Sequence, residues 1–295
     1  MPPIHGSISA TRSLLDFDPD LGASIERVEW PRARAAFTGE LITVPAGAWS
    51  PIAGRDSLGF LIIDGVVCRE LSLVDRRSLE LLGGGDVVQA PSALGWPQLS
   101  EGTMLTAIID AVVFELGPTF ARAAARWPGV LAAVMRRIDA QRERLAIQGL
   151  VAHVPRAEHR LLLALWHLAA RWGRVTAEGT VIPLALSHDL IGQLIAARRS
   201  TATLAISRAE QDGLLARRSD GTWLLTAEAE QQASSLASAR AVRSNAQMLM
   251  IRQRSSELLA ASRAVMASVE QDRRARASAE RPRHVSLPYS EDLRS

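Results

Sequence analysis

One mostly apolar segment, residues 190–215, carries two arginines and two hydroxyl side chains side by side in LIGQLIAARRSTATLAISRAEQDGLL. These four residues are Arg198, Arg199, Ser200 and Thr201. An arginine guanidinium can donate two parallel hydrogen bonds to a guanine edge, and hydroxyl groups suit phosphate contacts that position a helix. The segment therefore has two interpretations: a solvated helix start, or a surface that contacts DNA.

Two short helices joined by a tight turn would position these side chains. HDLIGQLIA (188–196) predicts the first helix, with Ser187 as its N-cap. RSTATLAISRAEQDG (199–213) predicts the second, which Gly213 closes. Four small or apolar residues of the second helix can pack on the first: Ala202, Ala205, Ile206 and Ala209.

The residues that follow, LLARRSDGTWLLT (214–226), predict a strand, a turn at Asp220-Gly221 and a second strand. The whole pattern predicts a helix-turn-helix with a β-hairpin wing, whose second helix lies in the major groove. The predicted DNA-binding residues are those expected to face outward: Arg198, Arg199, Ser200, Thr201, Thr203, Ser207, Arg208, Arg217 and Arg218.

Residues from about 41 to 116 contain short, often β-branched apolar runs separated by Pro, Gly and Asp. They read LITVPAGAW, GFLIIDGVVCREL, LELLGGGDVVQA and MLTAIIDAVVFEL. Several short strands at this spacing predict a β-roll, barrel or sandwich. Asp64-Gly65 predicts a hairpin turn, because glycine readily adopts a positive φ.

Beyond Gly117 the composition changes to Ala, Arg, Leu, Gln and Glu, which predicts a long helix over 119–152 with Pro128 in its first turn. A narrow seam recurs every three or four residues: Val130, Val134, Ile138, Gln141, Leu145, Gln148 and Ala152. Such a seam can pack on its own domain or on a second copy of the chain. We favour a second copy, because the surrounding arginines leave little apolar surface elsewhere on this helix.

With these parts in this order, the chain resembles the Crp/Fnr family of bacterial transcription regulators. In its winged helix-turn-helix, Ile191-Gly192-Gln193, the Arg-x-Thr of residues 199–201 and the ending Gly213-Leu214 fall at the family's spacing. The order of parts over residues 41–226 matches as well. The implied fold class is α+β: an N-terminal β-roll resembling a double-stranded β-helix, a long dimerisation helix and a C-terminal winged helix-turn-helix, here with an extra helical extension.

The resemblance also implies a division of the chain. Residues 1–40 form an N-terminal segment, 41–117 a β-roll sensor domain and 118–154 the dimerisation helix. Residues 155–227 form the winged helix-turn-helix, and 228–295 a helical C-terminal extension with a disordered tail. For that extension three interpretations remain open: a helix packed on the dimer, a basic arm that adds non-specific DNA affinity, and a solvated arm.

The resemblance implies a homodimer that binds an inverted repeat in double-stranded DNA. It further implies that RNA polymerase is recruited or blocked when a small-molecule effector occupies the β-roll. This sequence has Ser200 and Leu204 where members that read a TGTGA-like half-site carry a glutamate and a second arginine. We therefore expect a different half-site, with Leu204 and Ala205 contacting thymine methyl groups.

The sensor lacks the residues by which the family holds cyclic AMP. By rough alignment Gln89, Ala90 and Pro91 replace its Gly-Glu-Leu run, and the acidic Glu101 lies near the place of its phosphate-binding arginine. We expect a different effector, or none. The candidate effector-binding residues are Arg69, Gln89, Trp96 and Met104, although core packing explains Trp96 and Met104 equally well.

No cofactor and no metal are expected. The single cysteine, Cys68, excludes an iron–sulfur site built from several cysteines of one chain, and we interpret it as a buried thiol. His159 and His167 are eight residues apart on one predicted helix, which is not zinc-ligand spacing. No catalytic constellation stands out, so we do not expect an enzyme.

Charge and hydropathy narrow the class of protein. All 34 basic residues are arginines, and the net charge of +3 combines an acidic first 118 residues with a basic remainder. Only the later part is therefore expected to meet a polyanion. No apolar run is long enough to span a membrane and residues 1–20 do not resemble a signal peptide, so we expect a cytoplasmic protein.

Two functions from different classes follow. The first is a dimeric regulator that reads DNA with residues 198–212. The second is an adaptor that binds a small molecule or second messenger and acts through protein contacts without DNA. The arginines and hydroxyls at residues 198–201 favour the first, because an adaptor has no need of them. A third class, an enzyme built on a β-roll, has no support beyond a pocket.

Overall fold

The computed structural model describes residues 7–52, 54, 56–73, 76–89 and 103–238. The chain divides into two compact units, Met1–Ser234 and Ser235–Ser295. Of the second unit, only the helical residues 235–238 are described. The predictions for Trp96, Glu101 and most of the C-terminal extension lie outside the described residues.

In the first part of the unit, the described residues form a seven-stranded antiparallel sheet. Its strands are β1 (Ser7–Ser13), β2 (Thr38–Val44), β3 (Gly47–Trp49), β4 (Phe60–Leu73), β5 (Arg76–Gly83), β6 (Val87–Val88) and β7 (Thr103–Glu115). The strand order is β1-β2-β7-β4-β5, with β3 also paired to β7 and β6 to β4. The apolar runs of residues 41–116 thus form the predicted strands.

The predicted hairpin turn at Asp64-Gly65 is wrong. Strand β4 continues through both residues, and its register with β7 shifts on either side of them. Gly65 has a φ of +90°, and a Cβ there would lie 2.4 Å from the carbonyl oxygen of Asp110. The glycine therefore serves a β-bulge, which bends one long strand instead of ending it.

The residues before β2 belong to the same fold. Strand β1 pairs with β2, and the helices α1 (Leu14–Phe17) and α2 (Trp30–Ala36) follow β1. They pack against α3 (Pro118–Arg126), where the rings of Phe37 and Phe120 lie 5.6 Å apart. The N-terminal segment thereby completes both the sheet edge and one core.

The long helix α4 (Pro128–Ala152) begins with Pro128 at its first turn, as predicted. Its most buried side chains pack inside the same chain: Val130 and Val134 are 0% exposed, in a core with Phe120 and Leu116. Gln141 accepts a hydrogen bond from the backbone N–H of Val87 at 3.2 Å. Gln148 donates to the carbonyl oxygen of Leu79.

These contacts correct the predicted seam. Val130, Val134 and Gln141 are buried within the chain, and the half-buried Gln148 is bonded to its own sheet, so these four residues do not form a free surface for a second copy. The sequence pattern failed because an α-helix presents several adjacent stripes at a spacing of three or four, and the apolar pattern alone did not show which one packs inside the chain. Ile138, Leu145 and Ala152 remain partly or largely accessible.

The last part of the unit is a small α/β head. It comprises α5 (Ala157–Trp172), β8 (Arg174–Thr176), β9 (Gly179–Ile182), α6 (His188–Leu194), α7 (Arg199–Gln211), β10 (Leu215–Arg217), β11 (Trp223–Leu225) and the helical residues 227–234. The four strands pair in the order β10-β11-β9-β8. Trp223 of β11 is completely buried, and its indole N–H donates to the carbonyl oxygen of Leu186 at 3.1 Å.

Candidate nucleic-acid interface

The turn between α6 and α7 is tight and is built from small residues. Ala196 adopts a φ of +50°, and the N–H of Ala197 bonds to the carbonyl oxygen of Gly192 at 2.8 Å. A Cβ at Gly192 would lie only 3.0 Å from the carbonyl oxygen of Ala197, so a larger side chain at residue 192 would push the helices apart. Ser187 caps α6 by accepting the N–H of Leu190 at 3.2 Å, which confirms the predicted N-cap.

Helix α7 lies with one face in the core of the head. The buried residues are the four predicted ones, Ala202, Ala205, Ile206 and Ala209. Gly213 follows with a φ of +69°, which confirms the predicted helix end. Since Ala205 is 1% exposed, the expectation that it contacts a thymine methyl is wrong.

The opposite face of α7 is open. At about 100° per residue, the side chains opposite the buried face are those of Ser200, Leu204, Ser207 and Gln211. Leu204 is 53% exposed and Gln211 is also exposed, while Ser207 is half-buried. Gln211 was missed by the sequence analysis, although its spacing of four from Ser207 indicates the same face.

The start of α7 carries the predicted arginine and hydroxyl cluster. Arg198, Arg199, Ser200 and Thr201 are all exposed, and Arg198 occupies the N-cap position without a capping side-chain hydrogen bond. The first backbone N–H groups of a helix are electropositive and favour an anion. This end of α7 therefore combines two guanidiniums, two hydroxyls and unpaired backbone donors.

Two of the predicted DNA-binding residues are engaged within the head. Thr203 is half-buried, with its Oγ1 3.1 Å from Nδ1 of His188. Arg208 forms an ion pair with Glu158 at the start of α5. These contacts place Thr203 and Arg208 on the flanks of the open face.

The wing presents the remaining two arginines. Arg217 and Arg218 are exposed at the end of β10, and the Arg217 guanidinium lies 5.6 Å from the Trp223 ring centroid. The turn is held by Asp220, which accepts from the N–H and the hydroxyl of Thr222 at 3.0 and 2.6 Å. The Thr222 hydroxyl is the main cause that lowers the pKa of Asp220.

The three candidate effector residues that the structure describes, Arg69, Gln89 and Met104, do not converge. Arg69 is directed to an ion pair with Glu80 on the neighbouring strand. Met104 is 59% exposed and pairs with Glu70, so it lies on the face of the sheet opposite to Arg69. Gln89 is exposed and Trp96 lies outside the described residues.

Burial governs the one cysteine. Cys68 is 4% exposed, and desolvation, followed by the charges of Glu70 and Glu80, raises its pKa to about 12. The thiol is therefore protonated at neutral pH, as a structural cysteine is. Among the described residues no group of three or more His, Cys, Asp or Glu side chains is arranged to hold a metal ion.

A charged cluster that the sequence analysis missed joins the sheet to two helices. Asp86, 2% exposed, accepts hydrogen bonds from Arg144 on α4 and Arg171 on α5. Arg137, about two helical turns before Arg144, pairs with Asp18. The available signal was the Gly85-Asp86 turn together with arginines seven residues apart on one helix.

Comparison with known proteins gives three informative solved structures. A CooA mutant from Carboxydothermus hydrogenoformans has a TM-score of 0.50 and 16% identity, covering 78% of this chain and 97% of its own. A CRP-family transcriptional regulator from Thermus thermophilus has a TM-score of 0.51 and 20% identity, covering 65% and 96%. This chain has a Crp/Fnr-type fold.

The third structure is the c-di-GMP responsive global regulator CLP of Xanthomonas campestris, with a TM-score of 0.51, 17% identity and coverage of 68% and 99%. No protein-family model matches the chain, and no curated protein matches it. Within the described residues, no helix is both long and apolar enough to cross a membrane.

Proposed function

We propose that this chain is a dimeric, sequence-specific DNA-binding transcription regulator that reads an inverted repeat with α7 in the major groove. The observation that carries the proposal is the open face of α7. Its buried side is fixed in the head, while its first turn presents Arg198 and Arg199 to solvent. A wing with two further exposed arginines flanks it.

We assign these residues to two roles, base contacts and phosphate contacts. Side chains near the start of a recognition helix reach base edges, so Arg199, Ser200 and Leu204 are proposed to read the half-site. Arg199 suits a guanine, and the exposed Leu204 suits a thymine methyl group. Arg198, Thr201, Ser207, Arg217 and Arg218 are proposed to contact the phosphates, which set position and not sequence.

A different stripe of α4 is proposed to form the dimer interface. Starting at Leu131, a spacing of four and three alternates along its accessible side: Leu131, Met135, Ile138, Arg142, Leu145, Gly149 and Ala152. Met135 is 42% exposed, and a Cβ at Gly149 would meet nothing within 4 Å, which leaves room for a second helix. Such a heptad pattern is typical of a two-helix coiled coil.

A two-fold dimer would present two copies of α7 to one face of DNA. This symmetry requires an inverted repeat whose half-sites lie about one helical turn apart. We further propose a cytoplasmic protein that acts on RNA polymerase and is controlled by an effector other than cyclic AMP, or by none. By rough alignment, Glu101 lies near the position where the family carries its phosphate-binding arginine, which supports an effector other than cyclic AMP.

Sequence selection of DNA bound by the purified full-length protein tests the proposal. The expected result is an enriched inverted repeat. Arg199→Ala should weaken binding to it by roughly 5- to 150-fold and relax the preference at one base pair. Arg136→Ala is the matched control, because Arg136 is an exposed arginine of α4 away from the head.

The pattern of loss separates two roles of Arg199. If this residue contacts only phosphate, Arg199→Ala weakens binding to all sequences alike and reduces the salt slope by about one. Equal, sequence-blind binding by both variants and by the parent chain would contradict the proposal. An intact dimer without such selection would favour the adaptor hypothesis.

The dimer interface has its own pair of variants. Leu145→Asp places a charge in the proposed stripe, whereas Ile147→Asp changes an equally exposed position on another side of α4. Sedimentation should show a monomer for the first and a dimer for the second. Two unchanged dimers would exclude this stripe as the interface.

A further inference from the structure

A cavity of about 350 Å³ lies where the sheet, α4 and α5 meet. Its wall contains Arg137, Arg144 and Arg171 together with Asp18 and Asp86. Asp86 is fixed by three donors: both guanidiniums of residues 144 and 171, and the N–H of Gly83 at 3.0 Å. The volume is within the range of small-ligand sites.

Positive charge is in excess at this cavity. Three guanidiniums face two carboxylates, and Arg137 holds Asp18 through both of its terminal nitrogens, one of them at 2.7 Å. Arg144 donates to Asp86 alone among the residues that the structure describes, so most of its five N–H donors remain available. An anion entering the cavity would neutralise the excess.

Burial is the main cause of the pKa shifts of two groups beside this cavity. Burial lowers the pKa of Arg171, and Arg144 lowers it further, against the opposite effect of Asp86. Burial also lowers the pKa of His167 on α5, with Arg144 and Arg171 adding to the effect. Arg144 and Arg171 thus add positive charge beside His167, whereas at Arg171 itself the charge of Asp86 outweighs that of Arg144.

We propose that this cavity binds a phosphate-bearing anion, held by Arg144 and Arg171. The planar guanidinium fork matches the oxygens of a phosphate and binds it in a bidentate manner. Arg137 lies at the same wall, where Asp18 compensates its charge. The exposed Gly84 at the rim carries no side chain that would obstruct entry.

The position of the site suggests what binding would do. Arg144 belongs to α4, which carries the proposed dimer stripe, and Arg171 belongs to α5, the first helix of the head. Next to Arg171, the Trp172 ring packs so closely on Gly83 of β5 that a Cβ there would lie 2.9 Å from it. An anion on both arginines would link these elements, so we expect it to change DNA affinity; this last step rests on the proposed function.

The first test is thermal unfolding of the full-length protein with inorganic phosphate, pyrophosphate or ATP, each compared with sodium chloride at equal ionic strength. We expect at least one of the three to raise Tm by about 5 °C or more at roughly a hundredfold excess over Kd. A larger rise with ATP indicates a nucleotide, and an equal rise with pyrophosphate indicates an inorganic anion.

Two variants locate the binding. Ala140→Glu places a carboxylate at an exposed helix position that lines the cavity, and it should abolish the rise without disturbing the core. Arg144→Lys keeps the charge but removes the fork, and it should weaken binding at least tenfold. Arg136→Gln and Arg199→Gln, on α4 and on the open face of α7, should both respond as the parent chain does.

Three outcomes would overturn the proposal. These are no rise beyond the salt control, a rise retained in both Ala140→Glu and Arg144→Lys, and a rise lost in Arg199→Gln, which would place the anion on α7. DNA binding is measured separately with the bound and free forms. Anion binding without any sequence-selected DNA would therefore contradict the proposed function and leave this site standing.

Discussion

The contacts that shape α6 and α7 in the head are of shorter range in sequence than those at the junction around Asp86. In the head, Ser187 caps a helix through a residue three positions away, and His188 reaches Thr203 fifteen positions away. At the junction, Asp86 meets Arg144 and Arg171 across 58 and 85 positions. Local contacts can be inferred from a short motif, whereas the partners of Asp86 depend on how the whole unit folds.

The largest effect is expected where long-range charges are buried. Asp86→Ala leaves Arg144 and Arg171 without their carboxylate, and it should lower the free energy of unfolding by about 3–5 kcal/mol. Urea denaturation measures the loss. Asp139→Ala removes another carboxylate, an exposed partner of Arg142, and should change the free energy of unfolding by less than about 0.5 kcal/mol.

Similar losses for the two variants would contradict this contrast. They would mean that Asp86 is no more important to the fold than a surface carboxylate. A loss confined to Asp86→Ala would establish that the sheet, α4 and α5 are held together at this residue.

Two glycines with positive φ allow the sheet and the head to be compared: Gly65 lies in β4, and Gly213 follows α7. Gly65→Ala must accept both a positive φ and a Cβ 2.4 Å from a carbonyl oxygen, so we expect it to lower the free energy of unfolding by about 2 kcal/mol or more. Gly213→Ala meets the positive φ alone, with nothing within 4 Å, and should lose only about 1 kcal/mol. Denaturation midpoints should follow this order, and the reverse order would exclude a steric cause.

The same distinction explains which predictions succeeded. Ser187, Gly213 and the alanines of α7 were predicted because capping, positive φ and helix periodicity are properties of a few neighbouring residues. Gly65 was misplaced because a positive φ fits a turn and a bulge equally well, and only pairing with β7 decides between them. The stripe of α4 was misplaced because the strands on which its glutamines are held, at Leu79 and Val87, are distant in sequence.

A smaller effect is expected at the cap of α6. Ser187→Ala removes the acceptor of the Leu190 N–H and should lower the free energy of unfolding by about 1 kcal/mol. Ser219→Ala changes an exposed serine of the wing and should have almost no effect. Because the cap also orients α6 beneath α7, DNA affinity should fall with the first variant only.

The smallest stability effect concerns Arg208, which the sequence placed on the DNA and the structure places beside Glu158. The arginine of this pair is more than half exposed, so Arg208→Ala should change the free energy of unfolding by less than about 0.5 kcal/mol.

The effect of Arg208→Ala on DNA binding is the sharper measure. If Arg208 serves the ion pair, Glu158→Gln and Arg208→Ala should each alter DNA affinity by less than Arg199→Ala does, and the double variant should add nothing to either. If Arg208 leaves Glu158 to bind a phosphate, Arg208→Ala should weaken binding to all sequences and Glu158→Gln should strengthen it, because removing the carboxylate frees the guanidinium.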